Sequence, residues 1–160
     1  TYINQELPTL CRRFFVILPV PERTYIMGLS MGGYGAMKCA FTAPQQYAGC
    51  AGFSSVAEIQ AELPQLCRWH EDQAIFPHGI VPPQDDLFDL VEKFRDGTCP
   101  MPRLFLACGQ QDSLYPANLR LRDTLQAMNW PLTWYEAPGD HNWFFWNDAL
   151  GRAMKELLEN

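Results

Sequence analysis

The sequence has little of what marks a nucleic-acid-binding or membrane protein. Twelve Lys and Arg residues stand against 18 Asp and Glu, so the formal net charge is −6, and no basic cluster exceeds the pair Arg12-Arg13. This balance disfavours nucleic acid and anionic membrane surfaces as partners. The longest apolar run near the start, 14–20, is interrupted by Pro19 and is far too short to span a bilayer. No signal-peptide pattern is visible.

The chain also lacks the residue spacings of metal and redox sites. It has six cysteines but no C-x-x-C, and no His/Cys/Asp cluster has ligand spacing, so we predict no metal site. At least Cys39, Cys50 and Cys108 lie inside apolar segments. This favours free buried thiols in a reducing compartment, and therefore a cytoplasmic protein, with a disulfide as the alternative.

A serine inside a glycine-rich turn is the feature around which the chain is organised. The β-prone run 25–29 leads into Gly28-Leu29-Ser30-Met31-Gly32, and a small-residue helix pattern follows. G-x-S-x-G between a strand and a helix is the nucleophile elbow of α/β-hydrolases, in which glycines prevent Cβ clashes and the serine adopts sparsely populated backbone angles. Gly33 and Gly35 are expected to let the helix pack on the sheet. The alternative is a Gly/Ser turn without chemistry.

Helices and strands alternate along the chain, which predicts a parallel sheet with right-handed crossovers. Strands are predicted at 25–29, 47–54, 103–108 and 132–136, and helices at 2–15, 31–41, 85–95, from 116 onward and 143–159. The last helix is expected to bury Leu150, Ala153, Met154 and Leu157. The predicted fold class is α/β: the C-terminal portion of an α/β-hydrolase fold, with a mostly parallel sheet of about four strands flanked by helices.

Residues 55–83 are predicted to be irregular. They contain Pro64, Pro77, Pro82 and Pro83. Between two strands, such a stretch is where these folds carry loops that shape a pocket, and we expect it to restrict the acyl site to short chains. Its apolar candidates are Trp69, Phe76 and Ile80. Trp143 is a further candidate substrate contact, although an aromatic run that begins a helix is also typical of a core.

Three polar residues are predicted to meet at one edge of the sheet. Ser30, Asp112 and His141 each follow the carboxyl end of a different predicted strand, where open α/β sheets keep their ligand sites. The order serine, acid, histidine is that of α/β-hydrolases. A serine hydroxyl needs a base, imidazole titrates near neutrality, and a carboxylate orients the imidazole. We therefore predict a nucleophile, an acid and a base, with the Met31 backbone N–H in the oxyanion hole.

Other residues compete for two of these roles. His70 and His78 are alternative bases, but they lie in the segment 55–83 with no strand directly before them. Asp140 is adjacent to His141 and would have to fold back to reach it. The remaining candidate acids resemble first-turn helix residues near a positive dipole end. These are Asp85, Asp86 and Asp89.

Three blocks of sequence together carry a family resemblance: GLSMGGYGAMK at 28–38, LFLACGQQDSLY at 104–115 and PGDHNWFFW at 138–146. They resemble the esterase family that includes esterase D, S-formylglutathione hydrolase, tributyrin-type esterases, feruloyl esterases and the antigen 85 mycolyltransferases. The closest likeness is to the tributyrin-esterase-like branch. The resemblance implies an α/β-hydrolase fold with Ser30, Asp112 and His141 as the triad, and no metal or organic cofactor. Asp140 stands where the family usually has glycine.

The chain of 160 residues is short for a complete hydrolase of this type and begins at Thr1. The family's first strands, and the loop that normally supplies one oxyanion-hole donor, have no counterpart in it. We therefore expect residues 1–160 to form a single, truncated α/β-hydrolase domain. The strand at 25–29 would then have an unpaired edge through which the chain could self-associate.

The predicted function is hydrolysis of small-molecule, short-chain acyl esters through an acyl-enzyme on Ser30. One alternative is a thioesterase such as S-formylglutathione hydrolase, which relative rates on thioesters and oxyesters would distinguish. The other is a non-catalytic α/β fragment. Fluorophosphonate labelling of Ser30 tests that alternative, because only an activated serine reacts.

Overall fold

The structure, a computed structural model, describes residues 2–18, 20–66 and 75–159. Within these ranges four parallel strands form one sheet in the order β1-β2-β3-β4. The strands are β1 Tyr25–Leu29, β2 Gly49–Phe53, β3 Arg103–Gly109 and β4 Leu132–Ala137. In the sheet, Cys50 lies between Ile26 and Leu104, and Leu104 also pairs with Leu132. The predicted α/β fold class is confirmed.

Helices connect the strands. They are α1 Leu7–Phe14, α2 Met31–Thr42, α3 Ile59–Leu66, α4 Leu87–Glu92, α5 Tyr115–Ala127 and α6 Trp143–Leu158. A π-helical turn, Tyr2–Glu6, precedes α1. Within the ranges above, no helix is long and apolar enough to cross a membrane.

Alternate residues of each strand face opposite sides of the sheet, because successive Cβ atoms point to opposite faces. Cys50, Leu104 and Leu106 face one cluster. It is completed by residues of α2, of the turn after α4 and of α5, which are Phe41, Phe94, Leu121 and Leu125. Ala51, Phe105 and Ala107 face the other, which α6 completes with Phe145, Ala149, Ala153 and Leu157. Helices therefore cover both faces, and residues 104–108 of β3 are all apolar because the strand is buried on both sides.

The prediction that residues 55–83 are irregular was wrong for 59–66, which form α3. Ile59 and Leu63 lie one turn apart and are both buried in the first cluster. Their burial stabilises the helix although Pro64 lies inside it and removes one backbone donor. Phe76 is buried in the same cluster, whereas Ile80 is exposed. Trp69, His70 and Cys67 lie outside the described residues.

The buried face of α6 differs from the predicted one. Phe145, Ala149, Ala153 and Leu157 recur every four residues and are buried against the sheet. Met154, predicted to be buried, is 46% exposed. The buried stripe begins at Phe145, so residue 154 is rotated away from the sheet.

Candidate active site

Ser30 occupies the sharp turn between β1 and α2, as the nucleophile-elbow pattern predicts. Its backbone has φ 54° and ψ −123°, a sparsely populated conformation that costs on the order of 1–3 kcal/mol. Hydrogen bonds hold it there: the Ser30 N–H donates to the Phe53 carbonyl at 2.9 Å, and the Ser30 carbonyl accepts from the Gly33 N–H at 3.0 Å and the Val56 N–H at 3.3 Å. The turn is therefore fixed by the end of β2 as well as by α2.

The glycines around Ser30 are not equivalent. A Cβ at Gly28 would overlap the Gly32 carbonyl, and a Cβ at Gly33 would overlap the Ser55 side chain. The close approach of strand and helix therefore requires glycine at 28 and 33. A Cβ at Gly32 or Gly35 would meet nothing within 4 Å. The prediction that Gly35 allows packing on the sheet was wrong, because its Cα faces open space.

Asp112 lies in the loop between β3 and α5, and its side chain is fully buried. Its Oδ1 accepts from the Leu114 N–H at 2.9 Å, and its Oδ2 lies 2.9 Å from Nδ1 of His141. Two backbone hydrogen bonds, from its N–H to the Gly109 carbonyl and from the Tyr115 N–H to its carbonyl, hold the loop. Both carboxylate oxygens therefore have a defined donor.

His141 lies in the loop between β4 and α6. Its Nε2 lies 2.9 Å from Ser30 Oγ, and its side chain is 32% exposed. The structure thus brings Ser30, His141 and Asp112 together in one hydrogen-bonded chain. When the His141 Nδ1–H donates to the Asp112 carboxylate, Nε2 of the same ring is free to accept the proton of the Ser30 hydroxyl.

The competing residues that the structure describes take no part in this hydrogen-bonded chain. His78 is exposed in a short turn, at φ 67°. Asp85 pairs with Lys38, and Asp86 caps α4 by accepting from the Phe88 and Asp89 N–H groups. The Asp140 carboxylate accepts a hydrogen bond from the His141 backbone N–H at 2.7 Å, whereas the ring nitrogens of His141 face Asp112 and Ser30.

Met31 is the first residue of α2. Within the part of the chain that the structure describes, no hydrogen bond engages its N–H. The first N–H groups of a helix lack intrahelical partners and carry the positive end of its dipole. The Met31 N–H, directly after Ser30, can therefore stabilise negative charge beside the serine.

Aromatic side chains lie beside the imidazole. Trp146 packs perpendicular to the His141 ring, with centroids 4.9 Å apart. Trp143 packs on Trp146 with centroids 5.6 Å apart, and it is 66% exposed. The predicted contact Trp143 thus lies one ring further from His141 than Trp146, which the sequence analysis did not single out. The contact between Trp146 and His141 could have been predicted from Asn142. Because Asn142 caps α6, His141 and Trp146 are the N′ and N4 residues, which often pack together at the start of a helix.

A neutral thiol, that of Cys108, lies near Asp112. Burial raises the pKa of Cys108 to about 12, and the nearby Asp112 carboxylate adds to the effect. This cysteine is therefore protonated near neutral pH and does not supply a nucleophile.

Among the residues that the structure describes, no group of three His, Cys, Asp or Glu side chains is arranged to hold a metal ion.

The family model described as "Putative esterase" matches residues 1–97. The chain belongs to this esterase family. It is 28% identical over 163 residues to an acetyl esterase of Caldicellulosiruptor saccharolyticus, covering 96% of this chain and 61% of that protein.

Solved structures of the esterase family superpose on nearly the whole chain. A Staphylococcus aureus fluorophosphonate-binding serine hydrolase, FphF, gives a TM-score of 0.87 at 30% identity, over 97% of this chain and 62% of that one. A Staphylococcus aureus S-formylglutathione hydrolase, FrmB, gives 0.80 at 29%, over 96% and 58%. The chain thus spans about three fifths of the length of these relatives, as their coverage of 58–62% shows.

Proposed function

We propose that this chain carries the catalytic site of a serine esterase that hydrolyses short-chain acyl esters of small molecules. The observation that carries the proposal is the hydrogen-bonded chain from Ser30 Oγ through His141 to the buried Asp112 carboxylate, with both distances 2.9 Å. Membership of the esterase family and the similarity to a fluorophosphonate-binding serine hydrolase support it.

The proposed reaction has two halves. Ser30 Oγ attacks the ester carbonyl carbon while His141 Nε2 takes the hydroxyl proton, and the oxyanion accepts from the Met31 N–H. The carbon–oxygen bond to the alcohol then breaks, and the imidazolium gives its proton to the leaving alkoxide. Water attacks the acyl-serine, His141 takes its proton, and the acid leaves as Ser30 Oγ recovers that proton. Asp112 holds the Nδ1 proton and stabilises the imidazolium throughout.

Two observations support the preference for short acyl chains. The relative aligned over 96% of this chain is an acetyl esterase. Trp143 is exposed one ring away from His141, where it can contact the apolar part of a bound ester. We propose that Trp143 and the segment 55–83 limit the acyl group that the site accepts.

The test is turnover of p-nitrophenyl acetate, butyrate, octanoate and palmitate, combined with fluorophosphonate labelling. We expect activity on the two short esters and one labelled serine, both abolished in Ser30→Ala. Thr98→Ala, which removes a surface hydroxyl before β3, is the control and should retain both. Labelling that persists in Ser30→Ala would contradict the nucleophile, and a maximum at palmitate would contradict the chain length.

A thioesterase is the second candidate. A bovine S-formylglutathione hydrolase is 39% identical over 70 residues, and the solved S-formylglutathione hydrolase superposes well. Acetyl thioesters and oxyesters with matched leaving-group acidity separate the candidates. A clear preference for the thioester would favour the second.

Two further expectations stay predictions. Cys11, Cys39, Cys50, Cys99 and Cys108 are free thiols, which supports a reducing, cytoplasmic compartment. Within the described ranges β1 pairs only with β2, so its other edge is open to self-association. Size-exclusion chromatography tests the second point.

A further inference from the structure

We infer that Trp146 and Ser54 form a buried support that fixes the orientation of the His141 ring, so that both are positioning residues for the base. The inference rests on the proposed function, because it concerns the histidine that acts on Ser30. Neither residue contacts Ser30 in the hydrogen-bonded chain described above. Their effect would pass through the imidazole.

The first contact is between two rings. The Trp146 indole lies perpendicular to the imidazole at an angle of 86°, and Trp146 is only 8% exposed. Aromatic pairs in this arrangement are favourable beyond their area burial. Since the His141 side chain is 32% exposed, Trp146 supplies a buried contact on one side of a ring that solvent reaches in part.

The second contact holds the indole itself. Trp146 Nε1–H donates to Ser54 Oγ at 3.0 Å, in a buried environment. Ser54 directly follows β2 and has no solvent exposure, and its N–H donates to the Ala107 carbonyl at 2.7 Å. The indole is therefore tied to the central strands of the sheet, not merely packed against its own helix.

The backbone of Ser54 strengthens this argument. Its φ is 45°, a left-handed conformation that glycine adopts at little cost and a serine does not. Glycine would relieve the backbone, but it has no oxygen to accept the indole N–H. A strained non-glycine residue that supplies a hydrogen-bond acceptor behind an active-site ring is typical of a functional constraint.

The hydrogen bonds to Ser30 and Asp112 do not fix the ring completely. They define the two nitrogen positions, but each can lengthen if the imidazole tilts toward solvent. A displacement of about 1 Å in a catalytic group can lower a rate by about 100-fold. Trp146 opposes the tilt on one side, and Ser54 keeps Trp146 in place.

The chain contains a matched control. Trp130 is also buried, at 5% exposure, and its Nε1–H donates to the Pro102 carbonyl at 2.8 Å. It packs on Phe41 and Phe94 in the other core cluster. Trp130→Phe therefore makes the same chemical change as Trp146→Phe, a lost indole N–H in a core, without touching His141.

The experiment compares the wild type with Trp146→Phe, Trp146→Leu, Ser54→Gly and Trp130→Phe. We expect kcat on p-nitrophenyl acetate to fall roughly tenfold in Trp146→Phe and Ser54→Gly, and roughly 100-fold in Trp146→Leu. KM should stay within about twofold, because the lost effect concerns the base and not substrate binding. Trp130→Phe should lower the thermal midpoint and retain kcat within about twofold, measured well below that midpoint.

A second readout does not depend on turnover. In the NMR spectrum, the His141 Nδ1–H proton should be protected from water in the wild type and in Trp130→Phe, and should exchange faster in Trp146→Leu and Ser54→Gly. Wild-type kcat together with an unchanged Nδ1–H signal in the Trp146 and Ser54 variants would overturn the inference. Absence of esterase activity and labelling in the wild type would instead overturn the proposed function, and the Nδ1–H signal would then decide the inference alone.

Discussion

Replacing Asp112 with asparagine changes one buried carboxylate oxygen into an amide nitrogen. In the native site, Oδ1 accepts the Leu114 N–H and Oδ2 accepts Nδ1–H of His141, both at 2.9 Å. An asparagine has one acceptor oxygen and one NH2 donor group, so it cannot satisfy both donors. Keeping the Leu114 bond places the NH2 group against Nδ1.

This arrangement selects the wrong imidazole tautomer. When the amide donates to Nδ1, the ring proton resides on Nε2, and Nε2 can no longer accept the proton of Ser30. In the opposite orientation of the amide, the buried Leu114 N–H would lose its partner, which costs about 1–3 kcal/mol. We therefore expect the tautomer-inverting orientation to dominate.

The expected loss is a factor of roughly 10⁴ in kcat, the value known for the same substitution in a serine protease triad. It corresponds to about 5 kcal/mol of transition-state stabilisation. Stability should change little, since the substitution is isosteric and removes a buried charge. Asp112→Asn is compared with Asp123→Asn, an exposed aspartate on α5 that pairs with Arg122, by p-nitrophenyl acetate turnover and thermal unfolding. A kcat in Asp112→Asn within tenfold of the wild type would refute the assigned acid.

Three further predictions concern the scaffold. Gly28→Ala should unfold the turn at Ser30 or lower the free energy of unfolding by more than about 3 kcal/mol, since the new Cβ overlaps backbone. Gly35→Ala, whose Cβ would meet nothing within 4 Å in α2, should raise the free energy of unfolding by up to about 1 kcal/mol, measured by urea unfolding. Burial raises the pKa of Cys50 and raises that of Cys108 to about 12, so both thiols stay protonated at pH 8. Both should therefore resist alkylation by iodoacetamide until the protein unfolds, and rapid alkylation in the native state would contradict their burial. Asn118→Ala leaves the buried Ser55 N–H unpaired and should lower the free energy of unfolding by about 1–3 kcal/mol without changing the denaturant m-value in urea unfolding.

The strands could be predicted from the sequence because a strand that is buried on both faces is a run of consecutive apolar residues. β3 is apolar at successive positions, 104–108, which only a strand covered on both sides sustains. The juxtaposition of Ser30, Asp112 and His141 followed from the same fact, since the carboxyl ends of parallel strands share one edge. No distance between them was needed to expect a common site.

The errors have physical causes too. α3 was missed because prolines dominate local propensity arguments, whereas the burial of Ile59 and Leu63 depends on residues distant in sequence. Within the aromatic run 143–146, Trp143 was preferred to Trp146 because the contact of Trp146 with His141 depends on where α6 begins. The start of a helix is set by its cap, and which side chain packs next to the residue before the cap is known only once the cap is known. With Asn142 as the cap, Trp146 is the N4 residue that packs next to His141.

The loop that presents His141 explains how Asp140 can replace the family's usual glycine. The backbone of Asp140 does not have a positive φ, so this position does not require glycine. Glycine is required instead where the two loops approach each other closely, because a Cβ on Gly109 would overlap the Gly139 carbonyl.

That close approach joins the two loops that carry Asp112 and His141. The Gln111 N–H donates to the Gly139 carbonyl at 2.9 Å, and Gln111 Oε1 accepts the Gly139 N–H at 2.6 Å. The Gln110 N–H adds a bond to the Ala137 carbonyl at 3.0 Å. Hydrogen bonds between the two loops therefore help to set the separation of Asp112 from His141, in addition to the bond between their side chains. Asp140 is free to use its carboxylate on the His141 backbone N–H, which holds the loop from the other side.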